Sequence, residues 1–100
     1  MALLDISEYK DLARDQNTGW VQCGVEPALA SQQVAIGGTS TQSAAFGGVT
    51  RFVRLHCDVA CRIAFGNSPT AAGTTMRMAA GQTEYFGVRP GHKVAVITTT

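Results

Sequence analysis

The chain has 100 residues, 45% of them hydrophobic but only 7% aromatic, with 11 glycines and a formal net charge of +1. This length allows one small domain whose core must come from Val, Ile, Leu, Ala and a few Phe, so the body gains from association. The near-neutral balance gives no global case for a nucleic-acid partner, and no apolar run approaches the roughly 20 residues of a membrane span.

The charge is unevenly placed. Residues 1–26 carry two cations against five acids, net −3, and the remainder carries six against two, net +4. An acidic leading segment and a basic body can attract each other within or between subunits. The start of the chain lacks a basic region followed by an apolar stretch and cleavage site, so export by that route is not expected. The cysteine count of three is odd, which leaves at least one thiol free within a chain and fits a cytosolic origin.

In chain order, Asp5-Ile-Ser-Glu8 reads as a capping box, and Ile6, Tyr9, Leu12 and Ala13 follow at helical spacing. A short helix from about Ile6 to Arg14 is expected, marginal alone and in need of a surface, either its own domain or another subunit. Asn17-Thr18-Gly19 signals a turn and Glu26-Pro27 an extended or turn conformation, so the chain to Ala30 reads as an arm or long loop. Trp20 within it serves either as a plug for the sandwich edge or as an interface anchor. The expected division is therefore an extended or partly helical N-terminal arm over 1–30 and a β-domain over 31–100.

From Ser31 the pattern turns to period two, with Val34 and Ile36 inward and Gly37-Gly38 ending the strand. The glycine pairs 37–38 and 47–48 are turns, because no Lys-Ser/Thr follows either and no helix opens behind them. Residues 50–66 show the clearest alternation. Folded as a hairpin they set Cys57 against Cys61, Leu55 against Ile63 and Val53 against Phe65 on one apolar face, with Phe52, Arg54, His56 and Arg62 on the other. Met76 and Met78 are expected inside a following strand. Phe86 and Val88 share a face opposite Tyr85, Arg89-Pro90-Gly91-His92 forms a tight turn, and Val94 and Val96 face inward. About seven strands at intervals of roughly ten residues predict an all-β fold, a single antiparallel, jelly-roll-like β-sandwich.

No chemistry-bearing constellation stands out. A zinc site over Cys23, Cys57, Cys61, His56 and His92 would need His56 on the same face as Cys57, and strand alternation points it to the opposite one, so no metal is expected. The two thiols of the hairpin read as buried apolar groups or as a disulfide. His56 and His92 lack a nucleophile motif, and Asp58 and Glu84 are the only body acids, so no catalytic residue, enzyme activity or cofactor is expected. Arg51, Arg54 and Arg62, with Arg77 and Phe52, form a basic strip suited to a protein interface; binding of single-stranded nucleic acid is the lesser reading.

Three stretches carry a resemblance: Arg51-Phe52-Val53-Arg54; Cys61-Arg62-Ile63-Ala64-Phe65-Gly66-Asn67-Ser68-Pro69-Thr70-Ala71; and Glu84-Tyr85-Phe86-Gly87-Val88-Arg89-Pro90-Gly91-His92-Lys93-Val94-Ala95-Val96-Ile97. With Thr39-Ser40-Thr41-Gln42-Ser43-Ala44-Ala45-Phe46, they resemble small virion proteins encoded beside the major capsid gene of tailed bacteriophages, over roughly residues 30–98. The resemblance implies a capsid decoration or cement protein, made in the host bacterial cytoplasm and carried on the capsid surface, whose arm reaches over neighbouring subunits. Its implied partners are the major capsid protein and further copies of itself, with no membrane. A neck or tail component is the related alternative, and a virion-displayed module binding carbohydrate or a host receptor through loops 67–74 and 81–83 is the alternative of a different class.

An arm of about 26 residues at roughly 3.3 Å each spans several tens of Å, and repetition over a shell multiplies modest contacts. The expected interface residues are Leu3, Leu4, Ile6, Tyr9, Leu12 and Trp20 on the arm, with Arg51, Arg54 and Arg62 meeting an acidic surface. On this reading, a chain lacking residues 1–26 keeps a folded body and loses capsid binding.

Overall fold

The computed structural model describes residues 2–15 and 19–99, with backbone alone for 13–15 and 20–23. Ten strands and no helix occur among the described residues: β1 (Leu3–Tyr9), β2 (Leu12–Asp15), β3 (Gly19–Gly24), β4 (Ala30–Ala35), β5 (Thr41–Gln42), β6 (Phe52–Cys57), β7 (Cys61–Gly66), β8 (Met76–Met78), β9 (Thr83–Gly87) and β10 (Lys93–Thr98). Eight of them form two four-stranded antiparallel sheets, in the orders β4-β1-β6-β9 and β5-β10-β7-β8, and β2 and β3 pair only with each other.

The inward residues of both sheets form one core. Leu4, Ile6, Val34, Val53, Leu55 and Cys57 from the first meet Cys61, Ile63, Met78, Val94 and Val96 from the second. The chain is thus an all-β sandwich, held as such folds are by two alternating apolar faces closed on each other. The edges of the second sheet are short, two residues in β5 and three in β8, which limits unwanted pairing there.

The expected helix over Ile6–Arg14 is not formed. Leu4-Asp5-Ile6-Ser7 also alternates with period two, and that pattern wins because β1 lies between β4 and β6, bonded on both sides. A nine-residue helix has no comparable source of cooperativity. The division at residue 30 fails for the same reason: residues 3–9 are a central strand of the body, so removing residues 1–26 would take out part of its core.

The expected hairpin over 50–66 is also corrected. β6 and β7 lie in different sheets, and the chain crosses between them at residues 58–60. The inward set of the prediction nevertheless holds, with Val53, Leu55, Cys57, Cys61 and Ile63 all at most 1% exposed. A crossing between sheets and a lateral hairpin bury the same alternate residues, so alternation alone does not separate them. Asp58 ties the crossing to β1, accepting from the Leu3 N–H at 2.9 Å.

Glu8 continues the inward row of Leu4 and Ile6 and is itself buried. Its Oε1 accepts from the Thr50 hydroxyl at 2.7 Å and the Gly47 N–H at 2.9 Å, and its Oε2 receives the Gln32 side-chain amide at 3.5 Å. Gln32 in turn accepts from the Ala44 N–H at 2.9 Å. The carboxylate read as the last member of a capping box instead fastens the 43–50 connection to β1 and β4.

The 89–92 turn forms as expected. His92 N–H donates to the Arg89 carbonyl at 3.1 Å, Pro90 takes the second position and Gly91 the third, with φ +81°. This is a type II turn, which requires a positive φ at its third residue. Met78 is buried as expected, whereas Met76 is 52% exposed, because β8 is an edge strand and its first residue overhangs the core.

Candidate interaction surfaces

The outer face of the first sheet is a ladder of polar and aromatic rows, fixed by register. Gln33, Asp5, His56 and Thr83 lie side by side, as do Ser31, Ser7, Arg54 and Tyr85, and as do Tyr9, Phe52 and Gly87. Gln33 donates to Asp5 at 2.8 Å, and His56 Nδ1 lies 2.8 Å from the Thr83 hydroxyl. Tyr9 stacks on Phe52 with centroids 5.4 Å apart and planes 19° apart, and Phe52 meets Tyr85 at 6.1 Å. Tyr85, 45% exposed, presents the row to the outside.

The hairpin of β2 and β3 rises from this face. Its strands pair Leu12 with Gly24, Arg14 with Trp20 and Asp15 with Gly19, with a register shift between Leu12 and Arg14. The base is closed by the Val25 N–H donating to the Asp11 carbonyl at 3.2 Å. Gly24 sits against the Tyr9 ring so closely that a Cβ there would lie 2.4 Å from a ring carbon. Only glycine fits this approach. The Tyr9 hydroxyl donates to Glu26 at 2.6 Å, and this bond to a carboxylate, reinforced by burial, raises the phenol above its ordinary value of 10.0. Val25 and Leu29 are exposed beside the base. Lys10, Asp11, Leu12 and Phe52 line a shallow depression of about 220 Å³ there. The body and hairpin together extend 46 × 26 × 23 Å.

The expected interface residues are dispersed. Leu4 and Ile6 are 0% and 1% exposed, so they serve the subunit's own core and are not free for a neighbour. Tyr9 is covered by the hairpin base, Leu3 is half-buried on the outer row, and Leu12 is half-buried at the start of β2. Trp20 lies on β3, and its side chain is outside the described residues. Arg51, Arg54 and Arg62 do not form one strip. Arg54 lies on the outer face of the first sheet, while Arg62 lies on the second sheet beside Arg77 and donates to the Thr75 carbonyl at 3.0 Å. Arg51 lines a cleft at one end of the sandwich.

That cleft, about 440 Å³, lies where β7 and β9 end, and so between the two sheets. Phe65 and Val88 form apolar walls, the Gly66 and Gly87 backbone lies between them, and Arg51, Arg89 and His92 supply its polar side chains. Phe65 is braced by Phe86 at a centroid distance of 5.2 Å. The Val88 N–H donates to the Arg51 carbonyl at 2.9 Å, and the type II turn fixes Arg89 against His92. Sequence reasoning missed this site because its parts come from three separated segments; the only local signals were Phe65-Gly66 and the Arg89–His92 turn.

Cys57 and Cys61 are both buried free thiols. Cys57 donates to the Ala79 carbonyl at 3.0 Å. Burial, with Cys57 as neighbour, pushes the Cys61 thiol from 9.0 up to about 12. So high a value keeps it protonated and inert as a nucleophile. Among the described residues no three His, Cys, Asp or Glu side chains converge as a metal site would require. No family model matches the sequence, and neither a curated protein nor a solved structure matches it.

Proposed function

We propose that the chain is a structural virion protein of a tailed bacteriophage, a decoration or cement protein that binds the outside of the head in many copies and stabilises it. The observation that carries this reading is the β2–β3 hairpin, which among the described residues pairs with no other strand and stands on a body with a complete core. A projecting element with exposed Val25 and Leu29 at its base and the Phe52–Tyr85 pair beside it offers apolar area to a neighbour. The arm of the sequence reading is thereby redefined: strands β2 and β3 reach outward while residues 3–9 remain in the body. Self-association across the same surface and contact with the major capsid protein both follow from repetition over a shell.

The strand order supports the reading. With β1 moved from the start of the chain to its end, the eight sandwich strands take the neighbour order of a jelly roll, an architecture used in viral shells.

The test uses heads stripped of this protein and challenged by heating, with the release of packaged DNA as readout. The full chain should restore heat resistance. A variant with residues 12–24 replaced by a two-residue Asn-Gly turn, which the Asp11–Val25 bond allows geometrically, should fold and fail to restore it. Full restoration by that variant would overturn the hairpin's role, and failure of the intact chain to bind heads would overturn the proposal.

A further inference from the structure

The cleft at the end of the sandwich has a chemistry that the assembly role does not use. Arg51, Arg89 and His92 line it, and among the described residues no acidic residue does. No ion pair neutralises either arginine among the described residues: Asp58 is engaged with Leu3, Glu84 with Gln82 and Asp5 with Gln33, Glu8 and Glu26 serve Thr50 and Tyr9, and Asp11 lies at the hairpin base. Both arginines are exposed and so open to an arriving anion.

The cleft is more than a basic patch. One wall is the half-buried Phe65, held by Phe86, and the other is Val88, so the site sets an aromatic face beside an anion fork. Its volume of about 440 Å³ falls within the range of small-ligand clefts. The frame is preorganised, because the Val88–Arg51 and His92–Arg89 backbone bonds fix the segments that carry the charged groups. Little order is then lost on binding.

We infer that this cleft binds a small anionic ligand, a carboxylate or phosphate group carried on a sugar-sized ring. Arg51 and Arg89 take the anion in charge-assisted hydrogen bonds, and the ring's apolar C–H face lies on Phe65. Lysine would supply only point charges at these positions, whereas guanidinium forks match the planar geometry of a carboxylate and the edges of a phosphate. The site differs in position from the end loops 67–74 and 81–83, which the sequence reading favoured for a ligand. It does not depend on which assembly carries the chain.

The test is titration of the ¹⁵N-labelled full chain with glucuronate, glucose 6-phosphate and glucose at millimolar concentrations, followed by amide shifts. The expected result is a saturable response centred on residues 51, 65–66 and 87–92 with one or both anions and none with glucose. Comparison of the two anions distinguishes a carboxylated from a phosphorylated source. Arg51→Ala and Arg89→Ala, exposed positions outside the core, should each weaken binding at least about tenfold with an unchanged fold. Arg54→Ala, on a different surface, should leave it unchanged. The inference is overturned by silence with both anions, by equal response to glucose, or by equal losses in the Arg54 variant.

Discussion

Replacing Glu8 by alanine should destabilise the fold by about 2–3 kcal/mol, because the lost carboxylate leaves a buried donor without a partner. Thr50 is 1% exposed, and its hydroxyl donates to Glu8 at 2.7 Å. An orphaned hydroxyl in such a place costs about 1–3 kcal/mol, and the one missing methylene adds about 0.8 kcal/mol before relief of carboxylate desolvation is subtracted. The Gly47 N–H, bonded at 2.9 Å, belongs to an exposed residue and regains water, so it adds little. In a domain of this size the total lowers Tm by about 10–20 °C. Urea unfolding followed by far-UV circular dichroism gives the number. Glu8→Gln keeps an acceptor for Thr50 and Gly47 and should cost about 1 kcal/mol, and Thr50→Val in the alanine background should recover part of the loss. A Glu8→Ala change below about 0.5 kcal/mol, or a glutamine variant as unstable as the alanine one, would refute the reasoning.

Gly24→Ala should cost about 1–3 kcal/mol, because the added Cβ would meet the Tyr9 ring at 2.4 Å and force it off Phe52 and Glu26; an unchanged Tm would remove the case for a close approach. Gly91→Ala should cost about 1–2 kcal/mol by placing a Cβ at φ +81°, measured by the same unfolding experiment, and a neutral result would count against the type II turn. Stability should fall at alkaline pH. Cys61 titrates at about 12 when folded and 9.0 as its ordinary value, so its contribution is complete below pH 9.0 and declines as the unfolded chain ionises between the two. The slope approaches about 1.4 kcal/mol per pH unit, and Tyr9, also raised, adds in the same direction above its ordinary 10.0. Cys61→Ala should flatten the first part of this decline and Tyr9→Phe the second; profiles parallel to that of the unaltered protein would contradict both assignments.

Alternation carried the inward residues of β4, β6, β7 and β10 into view, since one buried face and one wet face leave a period of two in any strand. It could not say whether β6 and β7 pair side by side or face each other across the core, because both arrangements bury Leu55 and Ile63. That ambiguity produced the false basic strip: a lateral hairpin would put Arg54 and Arg62 on one surface, and the crossing between sheets puts them on opposite ones. In β1 a capping-box pattern and a strand pattern coexist in Asp5–Glu8, and pairing on both sides settled the competition in favour of the strand. The Arg89–His92 turn was legible because Pro and Gly each impose a backbone angle. The cleft was not, because Arg51, Phe65 and Arg89 meet only through the sheet topology.

The assembly role is tested most directly by electron cryomicroscopy of purified virus particles whose genome carries this sequence. The account predicts density for the two-sheet body in many symmetry-related copies on the outside of the head, with strands β2 and β3 lying against a neighbouring subunit. Absence of the chain from those particles would contradict it.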